Sequence, residues 1–318
     1  MRLTLFSVLV ASAWFLLSNV LLSLVVWGLT PRILARTTGL AAGRRAAIVF
    51  AWRALPAVVS GFVSVCVAWP SFLLHETSPA EESLRWWLMV AASAAATMCA
   101  SSVVALATAL ADARQRVAAW RRHVAGETSG ATVVSHGLDT AAVAGIRQPR
   151  VFVGRELTMA MTGAELQAVI AHERAHVAAG DNLKRAALIA LPDPLRFTAR
   201  GAALVSAWIA ATEDAADDAV ARAGRQSAVD LASALVKAAR LTAAGGAPPA
   251  LVSSVAERGD VSRRVLRLLD PVHRDVSAPV PAPLAMLVLV APAVPLLLGL
   301  PVTRAVHTVS EFLVNGRF

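Results

Sequence analysis

The sequence predicts a mainly α membrane protein: a four-helix transmembrane region with a cytoplasmic α+β domain inserted between spans three and four. Three observations lead there. Hydrophobic residues make up 57% of the chain, and the mean hydropathy of +0.61 exceeds that of an ordinary soluble domain. The apolar excess is gathered into four charge-free runs, and the arginines beside those runs are unevenly distributed.

The first run, from about Leu3 to Leu29, is long enough as a helix to cross a hydrocarbon layer of about 30 Å. A cleavable signal peptide is the competing reading, but its apolar core spans only about 7 to 15 residues and needs a small-residue cleavage site, which is not seen. Runs at about Leu55–Leu74 and Trp86–Leu110 share this character, with Trp69, Trp86 and Trp87 where interfacial aromatics sit. A fourth, about Val280–Val302, contains Pro283, Pro292 and Pro295. Membrane helices tolerate such kinks when neighbours satisfy the freed backbone groups.

Orientation follows from the short loops, because Arg and Lys are retained on the cytoplasmic side. Arg32, Arg36, Arg44 and Arg45 lie between spans one and two, and Arg114, Arg116, Arg121 and Arg122 follow span three. The loop between spans two and three carries Glu76, Glu81 and Glu82 against Arg85, and the tail has only Arg304 and Arg317. The consistent solution divides the chain into a membrane region (1–112), a cytoplasmic domain (113–279), a fourth span (280–303) and a short external tail (304–318), with both termini outside.

The formal net charge of +9 does not mark a nucleic-acid partner, because the basic residues are scattered beside apolar runs rather than gathered in a stripe. Cys66 and Cys99 both lie in apolar segments, which excludes a disulfide framework and a Cys-ligated metal. A transporter finds little support, since the spans carry no charge apart from Arg53 at an edge.

Within the inserted domain, TGAELQAVIAHERAHVAAGDNL (162–183) contains His172-Glu173-Arg174-Ala175-His176, the H-E-x-x-H pattern. Residues four apart share a helix face, so both imidazoles can meet one Zn²⁺ while Glu173 reaches the activated water. Thr162 with Glu165 three residues on predicts the N-terminus of that helix, and Gly180 predicts its end. A catalytic zinc keeps three protein ligands and one open position. Glu213, in WIAATEDAADDAVAR, is the candidate third ligand, with Asp217 four residues on placed to orient a ligand and Asp181 a second candidate for that task. The alternative, that Glu213, Asp214, Asp217 and Asp218 form a solvated acidic face, stays open on sequence alone. His136 follows the predicted strand Thr132-Val133-Val134 and is a candidate transition-state stabiliser. Residues Leu191–Arg200 read as a membrane-surface or groove-lining segment, or a plain connector. Ser227–Leu241 and Ser254–Leu269 read as amphipathic helices.

In this motif order the chain resembles the BlaR/MecR family of membrane metallopeptidases, gluzincins related to the HtpX-like proteases. The likeness rests on three spans before the domain, the stretch QPRVFVGRELTMAMTGAELQAVIAHERAHVAAGDN, the later Glu213-x-x-Ala216-Asp217, and one span after. It implies a gluzincin metalloprotease domain, one Zn²⁺ per chain bound by His172, His176 and Glu213, and Glu173 as general base. It also implies a bacterial inner-membrane location and a BlaI/MecI-like winged-helix repressor as substrate. Val151-Phe152-Val153 resembles the family's strand before the active-site helix, expected to pair with an extended substrate. The family's best-known members carry an extracellular penicillin-binding sensor after the last span. Here about fifteen residues follow Val302, and no such module is expected. Two rivals are an HtpX-like quality-control protease and a catalytically inert membrane scaffold.

Overall fold

A computed structural model describes residues 2–75, 86–245, 258–270, 304–306 and 308–310. The fourth apolar run lies outside the described residues.

Helix α1 (Arg2–Thr37) is followed by α2 (Ala42–Phe62), which continues through a π-helical segment, Val63–Ala68, into α3 (Trp69–His75). Helix α4 spans Trp86–Arg122. Among the described residues, three continuous helical stretches, Leu5–Thr37, Ala42–Leu74 and Trp86–Arg122, are long and apolar enough to cross a membrane. Leu17, Leu21, Leu24 and Val25 on α1 and Val103 and Val104 on α4 are exposed, an outward apolar face that a water-soluble bundle would not present in such numbers. The second helix starts at Ala42, well before the expected Leu55. Apolar length marks where a span can begin, but backbone hydrogen bonding carries the helix on through Arg44, Arg45 and Arg53. For the same reason α4 runs past Leu110 and presents Arg114, Arg116 and Arg121 beyond the apolar run.

Four short strands follow: β1 (Val124–Thr128), β2 (Ala131–Val134), β3 (Ala141–Ala144) and β4 (Arg150–Gly154). They form one sheet in the order β1-β2-β4-β3, with β2 and β4 parallel and the other pairs antiparallel. Val151-Phe152-Val153 is therefore an interior strand. Phe152 pairs with Thr132 on one side and Ala142 on the other, so this segment has no free edge for a substrate. The edge on that side of the sheet is β3.

The described residues from 155 to 270 form helices: α5 (Arg155–Ala160), α6 (Gly163–Ala179), α7 (Asp181–Ala190), a 3₁₀ turn at Pro194–Phe197, α8 (Ala199–Ala221), α9 (Arg225–Gly245) and α10 (Arg258–Leu269). Leu166, Val169 and Ile170 of α6 pack against the sheet residues Val151 and Val153 and the α9 residues Leu231 and Leu235. Trp120, near the end of α4, packs with Val134, Leu138 and Phe152 and donates from its indole N–H to Gly137 O at 2.9 Å.

Helix α8 belongs to two neighbourhoods. Its first half places Leu204, Trp208 and Ala211 among Val26 of α1 and Val49 and Phe50 of α2. Its second half packs Val220 and Ala221 against the core beneath the sheet. The first part of the connector, from Leu191 to Asp193, is docked among the apolar helices, while Phe197 is exposed. Asn19 Nδ2 donates to Pro192 O, Ser102 Oγ to Leu191 O, and Arg53 meets Asp193 at 2.6 Å with both side chains buried.

Candidate metal centre

Helix α6 is fixed at both ends by local chemistry. The Thr162 hydroxyl accepts from the Glu165 N–H at 3.2 Å, and Glu165 Oε2 accepts from the Thr162 N–H at 2.7 Å. Gly180 closes the helix at φ 68°, a left-handed conformation that glycine adopts without steric penalty. Between those caps His172 and His176 stand one turn apart, with ring centroids 4.8 Å apart and planes at 84°.

Their Nε2 atoms converge to 3.2 Å. Glu213, reaching over from α8, puts Oε2 at 3.4 Å from His172 Nε2 and Oε1 at 3.5 Å from His176 Nε2. Donors held about 2.0–2.1 Å from a tetrahedral Zn²⁺ stand roughly 3.3 Å from one another, so these three groups have the mutual spacing such an ion needs. Carboxylates stand behind the outer ring nitrogens: His176 Nδ1 is hydrogen-bonded to Asp181 Oδ2 at 2.8 Å, and His172 Nδ1 lies 3.1 Å from Asp217 Oδ1, at ion-pair distance but outside hydrogen-bond geometry. Such contacts orient an imidazole and raise its basicity as a ligand. The donor set fits zinc, and with two nitrogens and one oxygen it leaves a coordination position open.

The electrostatics favour a cation at this point. Burial opposes charge on His172 and His176, but the carboxylates of Asp217 and Glu213 push His172 up, and those of Asp181 and Glu213 push His176 up to about 10. Glu213 is held well below the usual carboxylate range because hydrogen bonds from both histidines, with the His172 and Arg264 charges, outweigh its burial. The protein groups thus create a demand for positive charge that a divalent ion would meet. Glu173 behaves differently. Burial pushes its carboxyl up, with the cationic histidines and Arg264 opposing and Glu213 assisting, and the net direction is upward. A raised carboxyl is suited to taking and returning a proton.

The acidic residues of α8 are not a solvated face. Asp214 and Asp218 pair with Arg263 and Arg267 of α10, each at 2.7 Å, while Asp217 is 1% exposed. Sequence reasoning missed all three rungs of this ladder, the innermost included. Arg264 donates to Asp217 at 2.7 Å and meets Glu213 Oε2 at 2.9 Å. The signal was present, since the spacing of Asp214, Asp217 and Asp218 is complementary to Arg263, Arg264 and Arg267 on a helix of matching amphipathicity. Arg185 and Asn182 of α7, which line the cavity beside Glu173 and His176, were missed as well. His136 stands edge-on to His123 with centroids 5.6 Å apart and does not line that cavity.

Among known proteins, no curated sequence and no solved structure matches this chain. A family model described as BlaR1 peptidase M56 matches residues 84–268, which run from α4 through α10 and include both histidines, Glu213 and Arg264. More than half of the chain is covered, and the protein belongs to the BlaR1 peptidase family M56.

Proposed function

We propose that this protein is an integral-membrane zinc-dependent endopeptidase that cleaves a cytoplasmic protein, a winged-helix repressor of the BlaI/MecI kind being the substrate its family membership suggests. The observation that carries the reading is the convergence of two imidazoles and the Glu213 carboxylate at tetrahedral spacing, with their outer nitrogens backed by Asp217 and Asp181. His172, His176 and Glu213 would hold one Zn²⁺, which supplies Lewis acidity towards the scissile carbonyl and brings the pKa of water towards about 7. Glu173 takes the proton of the attacking water on its carboxylate and returns it to the leaving amine nitrogen. Asp217 and Asp181 keep the two rings in the tautomer and orientation that ligation needs. In this reading residues 113–279 are cytoplasmic, residues 280–303 form a fourth span, and both termini lie outside, in a bacterial inner membrane.

The experiment is a paired measurement on purified full-length protein. The parent should bind one zinc per chain and cleave a protein substrate, and Glu173→Gln should keep the zinc and lose cleavage by at least a hundredfold. Equal cleavage by the two samples, or a parent with no stoichiometric zinc, sinks the assignment.

A further inference from the structure

The cavity that contains Glu173 and His176 encloses about 820 Å³ between the C-terminal part of α4, β3 with the loop after it, and helices α6 and α7. Among the described residues, six arginines line it, Arg114, Arg116, Arg121, Arg147, Arg150 and Arg185, against two carboxylates, Glu173 and Asp181. Asp181 is already engaged by His176 at 2.8 Å and Lys184 at 3.6 Å.

Elsewhere the buried Arg53 and Arg264, the half-buried Arg267 and the exposed Arg263 each meet a carboxylate. Among the described residues, none of the six cavity arginines has an ion-pair partner. Arg116 Nη1 and Arg185 Nε are moreover shielded from solvent without a hydrogen-bond acceptor. Arg114, Arg121, Arg147 and Arg150 are exposed, whereas Arg116 and Arg185 are half-buried, so positive charge continues from the open face of the cavity inward. Arg185 follows Asp181 by one turn of α7 and stands near enough to Glu213 to feel its charge.

A guanidinium is planar, always charged and shaped to receive a carboxylate through two parallel hydrogen bonds. Like charges lining a cleft with low-dielectric walls focus the field and concentrate the opposite charge there. A half-buried guanidinium without an acceptor is unfavourable until an anion arrives. We propose that this cavity selects polypeptides by a carboxylate close to the scissile bond, received by Arg185, with the other five arginines drawing the acidic segment in. The inference rests on the peptidase reading above. The carboxylate comes either from an Asp or Glu side chain within the substrate or from the substrate's C-terminus.

The test uses the zinc-loaded full-length chain in neutral detergent. Quenched fluorescent peptides differ only in Asp, Ala or Lys flanking the cleaved bond, each with a free or amidated C-terminus. Binding of the same peptides to Glu173→Gln is followed by anisotropy, which needs no turnover. The aspartate peptides should be cleaved at least tenfold more efficiently than the alanine peptides and bound at least tenfold more tightly than the lysine peptides. If amidation abolishes the preference, the chain end is the source; if it leaves the preference intact, the side chain is. Arg185→Gln should collapse the Asp-to-Lys ratio to within twofold, and Arg185→Glu should invert it. Arg147→Gln gives a smaller collapse from an exposed position if the Arg185 variants fail to fold, and the zinc content of every variant reports on folding.

Equal binding of aspartate and lysine peptides overturns the inference. So does displacement of the aspartate peptide by phosphatidylglycerol but not phosphatidylcholine micelles, which assigns the arginines to lipid headgroups. If the parent cleaves every peptide without regard to charge, the peptidase reading stands and the carboxylate site falls. If nothing is cleaved yet the aspartate peptide still binds preferentially, the carboxylate site stands and the peptidase reading falls.

Discussion

Arg264 and Asp217 close a bidentate ion pair in the interior, Nη2 donating to Oδ1 at 2.7 Å and Nε to Oδ2 at 2.8 Å, with 1% of each side chain exposed. Asp217 in turn stands 3.1 Å from His172 Nδ1, so α10 acts on the candidate metal ligands through a carboxylate of α8. Arg264→Leu leaves Asp217 and Glu213 as buried charges without their cation and should destabilise the protein by about 3–5 kcal/mol. Arg264→Lys should recover part of this, because one ammonium cannot replace a two-pronged fork. Denaturation of the three proteins in the same detergent checks the order parent, Lys, Leu.

Asp217→Asn keeps the shape of the side chain and removes its charge. The expected result is a zinc affinity reduced by about 10–100-fold, the usual effect of losing a carboxylate behind a ligating imidazole. Competition with a chelator of known affinity measures it. An unchanged affinity would mean that Asp217 serves the Arg264 pair alone.

The Arg53–Asp193 pair joins α2 to the connector ahead of α8, with side-chain exposures of 2% and 0%. Removing one partner, as in Arg53→Met, should cost about 3–5 kcal/mol, whereas Arg53→Met combined with Asp193→Leu should recover most of it. The double-mutant cycle, read by thermal unfolding, should therefore show strong coupling, and additive losses would contradict a direct pair.

Thr162→Ala removes the hydroxyl that caps α6 and should cost about 1 kcal/mol, while Thr162→Ser should stay near the parent. Unfolding midpoints distinguish the two.

Glu165 accepts from the Thr162 N–H, Ser233 and Lys237. Burial alone would push its carboxyl up, but these contacts bring it from the ordinary 4.5 down to about 2. A folded-state pKa below the unfolded one stabilises above the unfolded value, and this contribution is lost as pH falls towards the folded value. The difference in unfolding midpoint between parent and Glu165→Gln should thus be level above about pH 5 and shrink below about 4.5. A gap that widens on acidification would contradict this sign.

What the sequence made legible follows the range of the interactions involved. The boundaries of α6 could be read because Thr162, Glu165 and Gly180 act on their own backbone within a few residues. His172 and His176 could be paired because a four-residue step lies on one helical face. Glu213 needed a contact about 40 residues away and stayed open against a solvated acidic face until α8 was seen beside α6. Arg264 pairs across 47 residues, and nothing local distinguishes it from its neighbours Arg263 and Arg267. Strand β3, Ala-Ala-Val-Ala, was invisible because its composition favours a helix, and only pairing with β4 makes it a strand. The inner position of β4 was hidden for the same reason.

The two allegiances of α8 limit how the molecule can be taken apart. A fragment trimmed to begin after the first three helices would keep both histidines and Glu213, but it would surrender Leu204 and Trp208 to water where Val26, Val49 and Phe50 had covered them. Helix α8 ties the apolar helices to the candidate metal centre, and chemistry measured on the excised piece would describe a helix that has lost its footing.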